Sequence, residues 1–138
     1  MSEIINTNNA SSSLGAYPHA RRVGDLLFLS GIGPRSPIDN SIPGLVLDSA
    51  GNILEYDISA ECRAVFANVK AVLDASGSSW NNMVDVTVFL TNMKKDFPVY
   101  NKIYNEYFQH VQACRTTVEV KSLPTPIAIE LKVIATIG

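Results

Sequence analysis

Residues 114–135 read CRTTVEVKSLPTPIAIELKVIA, and this stretch decides the fold. Two segments with alternating side chains flank a proline-rich bend, and alternation with a period of two residues is typical of β-strands. If the odd-numbered residues from 127 to 137 face the core, the even-numbered residues must project from the opposite face of the sheet. The sequence therefore predicts two closing strands, with Arg115 at the start of the first and Glu130 in the middle of the second.

Three further segments before this stretch have strand signals. Residues 25–31, DLLFLSG, form a short apolar run that ends at Gly31, which is typical of a buried strand. Residues 45–56, LVLDSAGNILEY, predict a hairpin because Gly51 can adopt the positive φ that the turn requires. Residues 83–91, MVDVTVFLT, alternate, and they predict a strand whose buried face carries Val84, Val86, Val88 and Leu90.

Two segments repeat their apolar residues every three or four positions, as amphipathic helices do. The first is predicted to begin with Asp57 or Ser59 as its N-cap and to end at Gly77. The second is predicted to begin with Asp96 as its cap and with Pro98 near the first helical position. This order of elements predicts an α+β fold, with both helices on one face of a sheet in a ferredoxin-like or related split βαβ arrangement.

The composition limits the class of protein. The 138 residues suffice for one core, and residues 1–13, rich in Asn and Ser, predict a flexible lead-in to a single domain over 14–138. A net charge of -2 argues against nucleic acid or an anionic membrane as a partner. The sequence has no signal-peptide pattern and no apolar run of the roughly 20 residues that span a bilayer, so we expect a cytosolic protein. Cys62 and Cys114 lack the spacing of a disulfide scaffold or a zinc site.

Glu130 has two interpretations at this point. It could be a solvated carboxylate paired with Lys121 or Lys132 on an exposed sheet face. The same face also carries Ala128 and Ile134, however, and this half-apolar character favours a face that another copy of the chain covers.

Four blocks of the sequence resemble the RidA/YjgF family of imine and enamine deaminases. Residues 114–135 are similar to its C-terminal signature, and the other blocks are YPHARRVGDLLFLSG at 17–31, VTVFL at 86–90 and VYNKIYNEYF at 99–108. The blocks occur in the order of the family and cover most of the chain. Within the family, the first block and the loop after Ser30 and Gly31 resemble the 2-aminomuconate deaminase branch, which acts in aromatic catabolism, more than the general 2-aminoacrylate deaminases.

This resemblance implies a chorismate-mutase-like fold, a homotrimer with its sites between subunits, and no metal or organic cofactor. It implies that Arg115 holds the substrate carboxylate and that Glu130 positions the attacking water. Thr117 stands where many family deaminases have a cysteine, and the resemblance implies that its main-chain carbonyl takes part. The implied pocket wall consists of Tyr17, Ser30, Gly31 and Asn101.

The implied reaction suits these residue types. An arginine can hold a carboxylate through two parallel charge-assisted hydrogen bonds, which a lysine cannot match. An iminium ion is already electrophilic, so water needs only orientation and a base of modest strength, such as a glutamate whose pKa is raised by burial. A 2-aminomuconate substrate carries a second carboxylate, and we hypothesise Arg35 or His19 as its partner.

Three other functions stay open at this point. They are a general 2-aminoacrylate deaminase, a protein of the same fold that binds carboxylates without catalysis, and a chorismate-mutase-type rearrangement. The presence of Glu130 argues against a pure binding protein, because such a protein has no need to position water.

Overall fold

Within residues 2–138, which the computed structural model describes, eight strands and two α-helices follow one another along the chain. They are β1 (Ser2–Ile5), β2 (Ala20–Val23), β3 (Leu26–Leu29), β4 (Val46–Leu47), β5 (Ile53–Glu55), α1 (Ile58–Ala75), β6 (Met83–Leu90), α2 (Met93–Phe108), β7 (Cys114–Glu119) and β8 (Ile129–Thr136). A short 3₁₀ turn, Trp80–Asn82, precedes β6. None of the helices in this range is long and apolar enough to cross a bilayer.

The main sheet of the described chain has the strand order β1-β2-β3-β8-β6-β7, while β4 and β5 form a separate hairpin. Strands β6 and β7 are parallel, and the other neighbours in the main sheet are antiparallel. Because β8 lies between β3 and β6 and is antiparallel to both, β3 and β6 run in the same direction. The unit β3-α1-β6 is therefore a split βαβ unit, and the predicted α+β fold is confirmed.

Helix α1 follows the predicted pattern closely. Asp57 is its N-cap, because the side chain accepts a hydrogen bond from the backbone N–H of Ala60 at 3.1 Å. Gly77 follows the helix with φ +73°, a left-handed conformation that favours glycine. The buried face of the helix packs on the sheet through Cys62, Val65, Phe66, Val69, Val72 and Leu73.

Strand β6 departs from the predicted register at its start. Val84 was expected on the buried face, but it is exposed, and Met83 is buried instead. The pairing of β6 with β8 is irregular between Met83 and Asp85. An extra residue at this bulge switches the side-chain alternation, so the predicted face is right only from Val86 onward.

Helix α2 begins earlier than predicted. Asn92 is its N-cap, with a side chain that accepts from the backbone N–H of Lys95 at 3.1 Å. Asp96 is not a cap but a buried residue within the helix, and Pro98 also lies inside the helix. The carboxylate of Glu119 on β7 accepts from the N–H of Met93, which satisfies another of the free donors at this helix terminus.

The N-terminus differs from the predicted flexible lead-in. Ser2–Ile5 forms edge strand β1, which pairs with β2 and buries Ile5. The loop that follows is tied to the main sheet through His19. Burial of Ala10 and Ser11 in this loop extends the core to a segment that composition alone assigned to coil.

Candidate functional site

Glu130 lies where two cavities meet on the sheet face that points away from the helices. One is an open cleft of about 450 Å³, and the other is a smaller space of about 50 Å³ beneath the N-terminal loop. Both cavities are lined by Tyr17, Ser30, Gly31 and Glu130, which we call the acid half-site. The open cleft has the size of a small-molecule site.

The loop after β3 is held directly against Glu130. Ile32 and Leu131 exchange two backbone hydrogen bonds of 2.9 Å, and this bridge ties the loop to β8. Gly31 therefore lies so close to Glu130 that a Cβ atom at this position would be 2.7 Å from the carboxylate Oε2. Partial burial raises the pKa of Glu130 above its ordinary value, as a proton acceptor near neutral pH requires.

Gly31→Ala should therefore displace the Glu130 carboxylate. Only the end of a flexible side chain must move, so we expect a stability loss of about 1 kcal/mol. If Glu130 is the base that the family resemblance implies, its displacement should lower kcat by about 10- to 100-fold. Gly33→Ala is the matched control, since its Cβ would meet only the Cδ1 methyl group of Ile127 at 2.8 Å. Equal kcat values for the two variants would contradict the close packing of Gly31 on a functional carboxylate.

Ser30 and Tyr17 are fixed by main-chain contacts. The Ser30 hydroxyl donates to the carbonyl of Pro18 at 2.7 Å, and its amide donates to the carbonyl of His19 at 3.0 Å. The Tyr17 hydroxyl accepts from the N–H of Leu14 at 3.1 Å. Since the proton of Ser30 goes to a carbonyl rather than to a base, its geometry suits a pocket wall and not a nucleophile.

His19 lines the smaller cavity, but both of its ring nitrogens bond to the N-terminal loop. The ring is buried, its Nδ1 accepts from the N–H of Thr7 at 3.1 Å, and its Nε2 donates to the carbonyl of Ser11 at 2.7 Å. An imidazole that accepts at one nitrogen and donates at the other is neutral. The hypothesis that His19 binds a distal carboxylate does not fit these bonds.

Arg35 lines the smaller cavity together with Glu130. Its guanidinium donates to the carbonyl of Ser12 at 2.5 Å and to Oδ1 of Asn40 at 2.9 Å. These contacts hold the N-terminal loop over the cavity. The remaining guanidinium donors leave Arg35 as the better of the two predicted distal cations.

A second cluster lies at the other edge of the sheet, where β7 packs against α2. Arg115 donates to Oδ1 of Asn101 at 2.8 Å, and the hydroxyl groups of Thr117 and Tyr100 lie 3.0 Å apart. The guanidinium carbon is 4.7 Å from the ring centroid of Tyr104 and 5.5 Å from that of Tyr100. We call Asn101, Arg115 and Thr117 the arginine half-site.

The two rings were not predicted as part of a site, since their helical spacing indicated core or interface. That spacing also places Tyr100 and Tyr104 on the same side of α2, facing β7. Aromatic rings beside a guanidinium attract it through cation–π interactions and restrict its motion. Arg115 is thus oriented before any ligand binds, although its strand lies at an exposed edge.

The two half-sites lie on opposite faces of the sheet. Arg115 pairs with Val86 of β6, whose side chain is buried beneath the helices. Glu130 pairs with Phe89, which points to the other face. One copy of the chain therefore brings Tyr17, His19, Ser30, Gly31, Arg35 and Glu130 together around one cavity, but it does not bring Arg115 to them.

Lys132 lines the open cleft, although the sequence suggested it only as an ion-pair partner of Glu130. Its ammonium group donates to the carbonyl of Leu29, and burial lowers its pKa. Neither Lys121 nor Lys132 forms an ion pair with Glu130 in the part of the chain that the structure describes. The interpretation of Glu130 as one partner of a surface ion pair is therefore wrong.

Comparison with known proteins gives the family. The model of the family described as endoribonuclease L-PSP matches residues 7–137. A RutC family protein of Pyrococcus horikoshii is 38% identical over 98% of both chains. The chain belongs to the RidA/YjgF family. A relative from Dermatophagoides farinae named 2-iminobutanoate/2-iminopropanoate deaminase is 33% identical to this RidA/YjgF protein over 97% of its chain and 95% of the relative.

Solved structures of the family have the same fold over the whole chain. Escherichia coli TdcF with bound serine has a TM-score of 0.83 at 30% identity and covers 99% of both chains. Escherichia coli YjgF has a TM-score of 0.82 at 30% identity and covers 97% of this chain and 98% of its own. The names of these relatives refer to 2-iminobutanoate, 2-iminopropanoate and serine, and none refers to 2-aminomuconate.

Proposed function

We propose that this RidA/YjgF protein is a deaminase that hydrolyses a small carboxylated imine or enamine to a 2-oxo acid and ammonia. The main support is Glu130, a half-buried carboxyl group with a raised pKa that opens into a cleft of small-molecule size. The relative named 2-iminobutanoate/2-iminopropanoate deaminase gives the substrate class. The family model is described as an endoribonuclease, but a net charge of -2 does not indicate the basic surface that RNA binding requires.

The proposed reaction uses the two half-sites in different roles. Arg115 holds the substrate carboxylate, with its guanidinium already oriented by Asn101 and Tyr104. Protonation of an enamine on carbon gives the iminium ion, and Glu130 takes a proton from the water that attacks it. The carbinolamine then receives this proton on nitrogen. As the C–N bond breaks and ammonia leaves, Glu130 takes the hydroxyl proton and the C=O bond of the 2-oxo acid forms. The iminium ion is electrophilic by itself, so these steps use no metal or organic cofactor.

A complete site in this proposal needs two copies of the chain. The face around Glu130 carries half-exposed apolar side chains, Phe28, Phe89 and Ile134, which favour cover by another protein surface. A homotrimer in which the β7 edge of one copy meets this face of the next would place Arg115 beside Glu130. Light scattering of the purified protein tests the trimer, and a monomer would contradict it. A cytosolic location stays a prediction.

Ammonia release from 2-aminoacrylate and from 2-iminobutanoate tests the proposed activity. A deaminase accelerates release from at least one of them above the rate of the uncatalysed reaction. A protein that only binds carboxylates, or one that catalyses a rearrangement of the chorismate-mutase type, releases no additional ammonia.

A narrower hypothesis gives 2-aminomuconate as the substrate and 2-oxo-3-hexenedioate as the product, with Arg35 at the distal carboxylate. Arg35→Ala should then lower kcat/KM about 10-fold more for 2-aminomuconate than for 2-aminoacrylate, because one partly exposed charge-assisted bond is lost. Arg21→Ala is a control, since Arg21 lies on exposed strand β2 and contacts Ser2. An equal effect of Arg35→Ala on both substrates would leave the general 2-aminoacrylate deaminase as the better assignment.

A further inference from the structure

Two carboxyl groups are buried in the first turns of α1 and α2. Glu61 is 0% exposed and Asp96 is 1% exposed. Oε1 of Glu61 accepts from the N–H of Ala128 at 2.8 Å, and Oδ2 of Asp96 accepts from the hydroxyl of Tyr56 at 2.6 Å. The other two oxygens, Oε2 of Glu61 and Oδ1 of Asp96, are buried without a hydrogen-bond partner.

A proton on Glu61 would turn its bare oxygen into a hydrogen-bond donor, whereas an ionised carboxylate can only accept. Ionising Glu61 in this buried site, near the negative charge of Asp96, is costly, so Glu61 keeps its proton to a higher pH than an ordinary carboxyl group. Burial, together with the charges of Asp96 and Asp57, raises the pKa of Glu61 to about 7.

The Ala128 peptide connects this pair to the acid half-site. Its N–H donates to Glu61, and its carbonyl accepts from the N–H of Thr91 at 3.2 Å. Ala128 directly precedes β8, and Glu130 follows two residues later. Glu61 therefore anchors one end of the segment that carries Glu130, while the bridge between Leu131 and Ile32 anchors the other.

We propose that Glu61 is a positioning residue for Glu130, and that it holds the Ala128 amide as a neutral acid. The effect on turnover rests on the proposed deaminase function. When Glu61 ionises, a charge is left in a buried site near the charges of Asp96 and Asp57, and the first turn of α1 that holds the Ala128 amide is destabilised.

Other charged or titratable groups around the pair do not supply a counter-charge. Asp57 at the N-cap of α1 is negative, and the Tyr56 hydroxyl and the Cys62 thiol are neutral near pH 7. The ammonium group of Lys95 lies over the Tyr56 ring, 4.3 Å from its centroid. Among residues 2–138, no cation forms an ion pair with Glu61 or Asp96.

The sign of the pH effect follows from the raised pKa. Between the ordinary carboxyl pKa of 4.5 and about 7, the folded protein binds the Glu61 proton and the unfolded chain does not. Stability must therefore fall as the pH rises through this window. It then levels off above the folded-state pKa.

Glu61→Gln tests the proposal because glutamine is a permanent stand-in for the neutral acid. Its Oε1 can accept from Ala128, its amide is a donor as the protonated acid is, and it has no proton to lose. We expect the Tm of the wild type to fall relative to that of Glu61→Gln between about pH 5 and pH 8. The infrared band of a protonated carboxyl group should be present in the wild type and absent from the variant. Tm curves that stay parallel across this range would overturn the assignment of Glu61 as a neutral acid.

Turnover tests the positioning role. We expect kcat of the wild type to decline above about pH 7, whereas Glu61→Gln should keep its activity there. Both proteins should lose activity at low pH, where Glu130 becomes protonated. Glu61→Leu removes the acceptor for the Ala128 amide, so it should lower kcat about 10-fold or more and speed hydrogen exchange at Ala128. A folded Glu61→Leu protein with wild-type kcat and exchange would overturn the positioning role.

If Glu61→Leu does not fold, the comparison of the wild type with Glu61→Gln is enough to test the positioning role. Identical alkaline limbs for wild type and Glu61→Gln would contradict the proposal. If no protein releases ammonia but the Tm curves diverge and Ala128 exchange quickens above pH 7 only in the wild type, the deaminase function fails and the anchoring role of Glu61 stands.

Discussion

Glu130→Gln is expected to lower kcat for ammonia release by about 10²- to 10⁴-fold, which is the usual contribution of a general base. The amide has nearly the same shape as the carboxyl group and still fits against Gly31, but it cannot take a proton from water. Because burial raises the pKa of Glu130, its ionised form is less favourable in the folded protein than in water. The variant should therefore be at least as stable as the wild type near neutral pH.

The pH dependence gives a second measurement on the same variant. In the wild type, kcat should fall as the pH drops through the raised pKa of Glu130, because the protonated acid cannot act as a base. Glu130→Gln should lack this acid limb. Glu55→Gln, on the exposed strand β5, is the control and should keep the wild-type profile. A Glu130→Gln protein with wild-type kcat would remove Glu130 from the mechanism.

The face that carries Glu130 could be predicted from sequence because β8 is regular. Buried and half-exposed residues alternate without interruption from Ile129 to Thr136. Odd-numbered residues therefore face the core and even-numbered residues face the opposite side. Helix α1 was equally predictable, since Asp57 and Gly77 mark its ends with local signals. Where the local pattern and the tertiary contacts agree, sequence reasoning is sufficient.

The sequence predictions are wrong where a contact between distant parts of the chain determines the local structure. Pairing with β8 places the bulge in β6, and no local feature of MVDVTVFLT indicates it. Asp96 followed by Pro98 reads as a helix start, yet Asn92 provides the cap, and Asp96 instead accepts from Tyr56, forty positions away. Edge strand β1 likewise depends on pairing with β2, which overrides the polar composition of the N-terminus.

The site was predictable as a set of residues but not as a geometry. The family resemblance gave Arg115 and Glu130, and the alternation of side chains along each strand gave the two faces of that strand. Whether Arg115 and Glu130 lie on the same face of the sheet depends on the registers of β7 and β8 against β6. Val86 of β6 opposes Arg115, and Phe89 of β6 opposes Glu130. Such cross-strand registers are set by pairing in the folded sheet, so the opposite orientation was visible only in the structure.

Arg115→Ala should lower kcat/KM by about 10²- to 10⁴-fold, since two charge-assisted hydrogen bonds to the substrate carboxylate are lost at about 1.5–3 kcal/mol each. Arg115→Lys should recover only part of this loss, because a lysine cannot make the paired contact. Tm should change little, since the Arg115 side chain is exposed at the sheet edge. A variant that keeps wild-type kcat/KM would exclude Arg115 from substrate binding.

Mixed oligomers of Arg115→Ala and Glu130→Gln test whether a site takes its two groups from different copies. Each variant alone lacks one group in every site. In a random mixture, about a quarter of the sites between neighbouring copies combine an intact Arg115 with an intact Glu130, so activity should return. Mixing Arg115→Ala with the Arg115→Ala/Glu130→Gln double variant is the control, because no site can then hold Arg115. If mixed oligomers form by native mass spectrometry but stay inactive, the two half-sites do not meet across an interface, and because they face opposite sides of one sheet they could not meet within a chain either.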